Sequence, residues 1–135
     1  MLNYTHRGTK MLINLLCVGL GGFCGAILRA LTGIGISKIT FLSGFPYATL
    51  TVNIIGSFII GIFLTLPSLN STPNLKSFLT AGLLGGLTTF STFSFDTLSL
   101  IESRMITSAL TNILLNVFVA IIACYLGTLV SKQLN

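Results

Sequence analysis

The chain has 135 residues, of which 53% are hydrophobic and only 7% are charged. A water-soluble domain of this size needs far more charge on its surface, so this composition argues for a protein that resides in a lipid bilayer. The net charge is +5, but the seven cations stand singly along the tails and connections, a pattern that favours anionic lipid headgroups over nucleic acid as the partner.

Four apolar stretches are each long enough to cross the hydrocarbon core, which takes roughly 20 residues in a helix. They lie at residues 11–31, 47–66, 78–100 and 106–130. The connections between them, GIGISKITFLSGFP, PSLNSTPNLK and IESR, leave no room for a soluble domain. The sequence therefore predicts one all-α integral membrane domain of four transmembrane helices, residues 1–135.

The first segment follows Arg7 and Lys10, which is also how a cleaved signal peptide begins. Its apolar run continues past signal-peptide length, so we expect a retained helix. Small residues recur in it every fourth position, including Gly21 and Gly25, and this row ends at Arg29. Rows of this kind let membrane helices approach closely, so the glycines are interpreted as packing residues.

The second and fourth segments carry similar rows, and each row contains asparagine. Asn53 belongs to the row of the second segment, which starts at Thr49, and Asn112 and Asn116 belong to that of the fourth. An amide that faces lipid leaves its donors and acceptors without partners, at a cost of several kcal/mol. We therefore expect all three asparagines to face protein or water.

The third segment contains the stretch GLLGGLTTFSTFSFDT at residues 82–97, with three glycines, six hydroxyls and a carboxylate. Its polar side chains fall on every face of a helix, and Asp96 cannot bond back to its own helix as a hydroxyl can. Such a segment lies at the centre of a bundle or is locally broken. Gly85 and Gly86 make a break sterically easy, and freed carbonyls there could hold a cation.

Two aromatic residues follow this glycine pair at a spacing of three. Phe90 and Phe93 share one helix face. Phenyl rings carry positive charge density at their edges, which can attract a small anion. On spacing alone, two core phenylalanines are the favoured interpretation.

Enzyme chemistry finds little support in this chain. The only carboxylates are Asp96 and Glu102, and no nucleophile with a neighbouring base and no phosphate-binding loop occurs. The three cysteines form neither a CxxC pair nor a cluster with histidine. We therefore expect a protein that is not an enzyme.

Three stretches in three different segments resemble one known family. They are GGFCGAILR at residues 21–29, TLTVNIIGSF at 49–58 and GLLGGLTTFSTFS at 82–94. Together they are similar to the CrcB/Fluc family of fluoride-specific ion channels, over essentially the whole chain. One departure is Asp96, which stands where that family usually has glutamate.

The resemblance implies a passive channel that exports fluoride across the bacterial plasma (inner) membrane. It implies an antiparallel dimer of dual topology with two fluoride pores, built from two copies of this chain or from a similar second subunit. It also implies a broken third helix and a structural, untransported sodium ion (Na+), bound by the carbonyls of Gly85 and Thr88. The residues implied for the ion pathway are Phe90, Phe93, Asn53, Thr49, Ser91, Thr92, Asn112, Asn116, Arg29 and Asp96.

Two other classes of function remain open at this stage. A small proton-coupled multidrug exporter also has four short helices, but it needs a carboxylate inside the bundle as a proton relay, usually in its first helix. Here the first segment offers only Arg29, and Asp96 is the sole candidate. A non-transporting membrane assembly protein would use the small-residue rows for packing alone, an explanation that the three asparagines weaken.

Overall fold

The computed structural model describes residues 2–40 and 44–133, and the regular elements in that part of the chain are all helical. They follow one another as α1 Leu2–Thr40, α2 Tyr47–Thr65, α3 Pro67–Asn70, α4 Pro73–Ser77, π1 Phe78–Leu84, α5 Gly85–Leu87, α6 Phe90–Glu102, α7 Ile106–Leu114, π2 Leu115–Val119 and α8 Ala120–Gln133. π1 and π2 are π-helical segments that continue the α-helices on either side of them.

Four helical runs are long and apolar enough to cross a membrane: Arg7–Lys38, Tyr47–Thr65, Pro73–Glu102 and Ile106–Gln133. We call them the first to fourth spans. They confirm the prediction of an all-helical chain with four helices able to span a membrane. Between the third and fourth spans the chain reverses at Arg104, which adopts a left-handed backbone conformation with φ 60°.

The first and third spans are longer than the predicted segments. α1 continues to Thr40, so the predicted connection at residues 33–46 begins as helix, while residues 41–43 lie outside the described residues. No proline precedes Thr40 in α1, and each interior glycine costs a helix only about 1 kcal/mol. The third span begins at Pro73, because proline is well suited to the first helical position.

Glycines bring α1 and the third span together backbone to backbone. A Cβ atom on Gly25 would lie 2.8 Å from the main-chain nitrogen of Leu87, and Gly21 is equally enclosed by main-chain atoms of the third span. From the opposite side, Gly82 and Gly86 face main-chain atoms of α1. These contacts confirm the packing interpretation of the row in the first segment.

The second and fourth spans pack in the same way. A Cβ atom on Gly61 would overlap the carbonyl of Cys124, and one on Gly127 would overlap the carbonyl of Phe58. Main-chain atoms inside helices cannot move aside independently. The two glycine contacts therefore hold α2 against α8 and bring the polar positions of both spans to the interior.

We expect Gly25→Val to destabilise the fold strongly. The new methyl groups would overlap the backbone of the third span at Leu83 and Leu87. Overpacking costs about 3 kcal/mol at its upper end, which corresponds to a fall in the unfolding midpoint of about 10 °C. Thermal unfolding in detergent, followed by the folded peak in size-exclusion chromatography, measures this.

Gly19→Val is the matched control on the same helix, because no described atom outside its own helical turn lies within 4 Å of the position of its Cβ atom. It should unfold at the parent temperature. If Gly25→Val does so too, the two helices are not in close main-chain contact.

Candidate functional site

The third span changes backbone conformation at Thr88 and Thr89. α5 ends at Leu87, and Thr88 (φ −78°, ψ 156°) and Thr89 (φ −153°, ψ 118°) are extended before α6 begins at Phe90. Thr89 is the N-cap of α6, where its hydroxyl accepts a hydrogen bond from the N–H of Thr92 at 3.2 Å. A threonine before a helical run favours such a cap. We call Thr88 and Thr89 the extended link.

Side-chain oxygens accept hydrogen bonds from two N–H groups that, in an unbroken helix, would donate to the carbonyls of Gly85 and Thr88. The N–H of Thr89 donates to Asn53 Oδ1 at 2.8 Å instead of to the carbonyl of Gly85. The N–H of Thr92 donates to Thr89 Oγ1 instead of to the carbonyl of Thr88. Both carbonyls therefore lack the helical donor four residues ahead.

The three asparagines form one hydrogen-bonded network. Asn53 Nδ2 donates to the carbonyl of Thr89 at 3.2 Å and to Asn116 Oδ1 at 2.8 Å. Asn116 Nδ2 in turn donates to Asn112 Oδ1 at 2.9 Å, and Asn112 Nδ2 donates to Thr97 Oγ1 at 2.9 Å. This confirms that all three amides face protein. The second and fourth spans are thereby tied to the extended link.

A cavity of about 590 Å³ opens beside the extended link, and we call it the central cavity. Its wall includes residues from both π-helical segments, among them Thr80 in π1 and Asn116 in π2. Segments of this kind often occur at functional sites. Six of the predicted site residues line the central cavity: Asn53, Gly85, Thr88, Phe90, Phe93 and Asn116.

The two phenyl rings meet at the wall of the central cavity. The ring centroids of Phe90 and Phe93 are 5.3 Å apart, with an interplanar angle of 54°. Phe93 is only 8% exposed, whereas Phe90 is 78% exposed. The spacing of three residues therefore does place both rings on one face. Phe90 contributes almost nothing to the core of the single chain.

Three predicted residues lie around a second cavity of about 290 Å³: Arg29, Thr49 and Thr92. Arg29 Nη1 donates to the carbonyl of Thr88 at 3.5 Å, so its positive charge lies close to the extended link. Ser91 is exposed, and its hydroxyl is 3.3 Å from Thr89 Oγ1. Hydroxyl groups and one guanidinium group thus lie beside the extended link.

Asp96 lies apart from the central cavity. Its Oδ2 accepts a hydrogen bond from Thr49 Oγ1 at 2.7 Å, which ties α6 to α2. Asp96 also lines a third cavity of about 370 Å³, together with Ser99 and Ser103 near the end of the third span. The carboxylate is thus engaged with a hydroxyl at the edge of the bundle.

Two residues of the site were absent from the predictions. Thr89 caps α6 and bonds to Asn53 through its backbone, and Thr97 joins Asn112 to α6. The position of Thr89, directly before a helical run, is a cap signal that sequence reasoning could have used. Nothing in the sequence pairs Thr97 with Asn112, because their contact is tertiary.

Comparison with known proteins points to one family. The family model described as CrcB-like protein, Camphor Resistance (CrcB), matches residues 16–128. The fluoride-specific ion channel FluC of Campylobacter fetus is 48% identical over 116 residues, which cover 85% of this chain and 91% of that protein. The protein of the same name from Clostridium perfringens is 42% identical over 127 residues, covering 93% and 98% respectively. The one from Shewanella pealeana is 45% identical over 115 residues, covering 84% and 92%.

Proposed function

We propose that this chain, which belongs to the CrcB family, is a fluoride-specific channel through which fluoride leaves the cell passively. Its relatives are named as fluoride channels at 42–48% identity. The observation that carries the proposal is the central cavity, where Phe90 and Phe93 stand next to the N-terminus of α6. Fluoride efflux from liposomes tests it.

The chemistry of the central cavity suits a small anion that holds its water tightly. Phenyl edges are electropositive, and the N–H groups in the first turn of α6 point toward the extended link. Asn53 lies on the same wall, where its NH₂ group is engaged with the carbonyl of Thr89 and with Asn116 and so holds the wall in place. The ring edges and these N–H groups can replace the water of the anion without a full positive charge among them, which would bind the anion too firmly to release it.

Passive flow is sufficient for export. Fluoride enters cells as neutral HF under acid conditions and loses its proton inside, where the anion is trapped. The negative membrane potential then drives the anion outward through an open pore, at about 2.3 kcal/mol per charge for every 100 mV. No coupled ion or fuel is needed.

We propose that two copies complete the pore. Phe90 is 78% exposed, and Gly85 and Ser91 are exposed beside it, so one wall of the pathway is open in a single chain. Among the described residues outside its own turn, the nearest atom to the Cβ position of exposed Gly85 is the carbonyl oxygen of Thr80, 3.8 Å away. A second copy that brings its own extended link to this face would cover these groups in an isologous contact.

We propose that a structural sodium ion lies where the two extended links meet. The carbonyls of Gly85 and Thr88 lack helical donors, and carbonyl oxygens are suitable ligands for a hard cation. Within the described ranges, no cluster of His, Cys, Asp and Glu side chains could hold a metal ion instead. When bound, the positive charge of the ion would offset the negative oxygen ends of these carbonyl groups. A density map of the dimer with only water between the links would contradict this.

The two copies are proposed to be antiparallel, in a bacterial plasma membrane. With four spans, one side of the membrane receives Arg7, Lys10, Lys76 and Lys132, and the other receives Lys38 and Arg104, with Arg29 inside the first span toward that side. Orientation follows the excess of Lys and Arg in the cytoplasmic connections. Four against three with Arg29 counted, or four against two without it, is a weak bias, so we propose that the chain inserts both ways.

We expect a cysteine at position 133, introduced as Gln133→Cys, to be labelled from both sides of intact cells. The background must lack the native Cys17, Cys24 and Cys124. The matched control adds Lys38→Gln and Arg104→Gln, which leaves Arg29 as the only cation on its side and should shift labelling toward one face. Labelling of Gln133→Cys from one side alone would rule out the antiparallel homodimer and require an oppositely oriented partner chain.

A further inference from the structure

Asn112 is fully buried in the single chain, away from the cavities described above. Its side chain is 0% exposed, and it lines none of the three cavities described above. Thr97, to which it donates, is 8% exposed. Any influence of these two residues on permeation must therefore pass through their hydrogen-bond partners.

The side-chain hydrogen bonds from Asn53 to Thr97 run in one direction, which agrees with the main-chain groups at both ends of the series. The carbonyl of Phe93 can only accept, so the Thr97 hydroxyl, 2.7 Å away, donates to it. The Thr97 oxygen is then left to accept from the NH₂ group of Asn112. Asn112 Oδ1 consequently faces Asn116 and receives the NH₂ group of that amide at 2.9 Å.

The same order continues to the extended link. Asn116 presents Oδ1 to the NH₂ group of Asn53 at 2.8 Å, which leaves Asn53 Oδ1 to accept from the N–H of Thr89 at 2.8 Å. A reversal of any amide in this series would oppose two donors or two acceptors. Main-chain groups fix Asn53 directly at the link, where it donates to the carbonyl of Thr89 and accepts from its N–H, and Thr97 completes the same series at its far end.

We propose that Thr97 and Asn112 are positioning residues for permeation. Through Asn116 and Asn53 they hold the backbone of Thr89 in its extended conformation, and with it the carbonyls beside the central cavity. Thr97 also donates to the main-chain carbonyl of Phe93, so the same series of hydrogen bonds connects the extended link to the residue that carries one of the two rings. The part of this inference that concerns flux rests on the proposed fluoride channel, whereas the part that concerns the backbone does not.

The test compares Thr97→Val with Thr97→Ser in the full-length protein. Valine keeps the shape of threonine and removes the hydroxyl, whereas serine keeps the hydroxyl. With valine, we expect the amide of Thr89 to exchange with solvent about tenfold faster, measured by NMR in detergent micelles, and fluoride flux to fall about tenfold. Thr97→Ser should restore both parent values.

Thr65→Val is the matched control, because in the described part of the chain the Thr65 hydroxyl bonds to carbonyls of its own helix, at Gly61 and Ile62. It should leave the exchange of Thr89 and the flux unchanged. If Thr97→Val does not fold, Thr97→Cys takes its place, because a thiol forms weaker hydrogen bonds than a hydroxyl. An exchange rate of the Thr89 amide between the parent rate and ten times that rate then supports the proposal.

Exchange of the Thr89 amide at the parent rate in Thr97→Val, or in Thr97→Cys where valine does not fold, overturns the proposal. If the Thr89 amide exchanges faster but fluoride flux stays at the parent rate, Thr97 and Asn112 are not positioning residues for permeation. A parent protein that conducts no fluoride refutes the proposed function, and the exchange comparison still decides whether Thr97 orients the link.

Discussion

Replacing Phe90 and Phe93 together with isoleucine is expected to abolish fluoride efflux while leaving the folded protein intact. Both rings line the central cavity, and we take the contact of each ring edge with the anion as about 1.5 kcal/mol, the upper end for contacts between aromatic rings. Loss of both raises the barrier by about 3 kcal/mol, which slows flux more than 100-fold. Fluoride-electrode recordings from proteoliposomes measure the rate.

Phe95→Ile is the control for this variant. Phe95 lies on α6 as well and is 69% exposed, but it does not line the central cavity. It should conduct at the parent rate, and the double variant should still elute as the parent does in size-exclusion chromatography. Parent-level flux in the double variant would remove the rings from the mechanism.

Asn53→Asp is expected to be equally severe, for two reasons that act together. A fixed negative charge on the wall repels the permeating anion. At roughly 6 Å and an effective dielectric constant of about 20, this repulsion is about 3 kcal/mol, or about a 100-fold loss of flux. The carboxylate also lacks the N–H groups that Asn53 donates to the carbonyl of Thr89 and to Asn116.

Two further substitutions separate these effects. Asn53→Leu removes the hydrogen bonds without adding charge, so its flux should fall between those of Asn53→Asp and the parent. Asn74→Asp places the same charge on exposed α4, outside the cavities described, and should conduct normally. If Asn53→Asp conducts as well as the parent, Asn53 is a structural amide and the pore lies elsewhere.

Much of the fold follows from local sequence. The length of the apolar stretches predicts four spans, and the four-residue rows predict which faces pack, as Gly25 and Gly61 illustrate. The ends of α1 were harder to predict. Residues 33–40 combine glycine with polar side chains, which resembles a connection, and only the absence of proline allows the helix to continue.

The residues of the site were easier to predict than the hydrogen bonds between them. The requirement that buried amides be paired predicts that Asn53, Asn112 and Asn116 avoid lipid. Their mutual contacts bring together residues up to 63 positions apart, and no local pattern encodes them. The engagement of Thr49 with Asp96, away from the central cavity, likewise depends on how α2 packs against α6.

The measurement that tests the central claim most directly is anion efflux from liposomes that contain this protein alone. A potassium gradient with an ionophore supplies the driving potential, and matched vesicles are loaded with fluoride or with chloride. Rapid fluoride efflux with no chloride efflux above that of protein-free liposomes is the predicted result. Fluoride retained as firmly as chloride, or released at the same rate as chloride, would contradict a fluoride-specific channel.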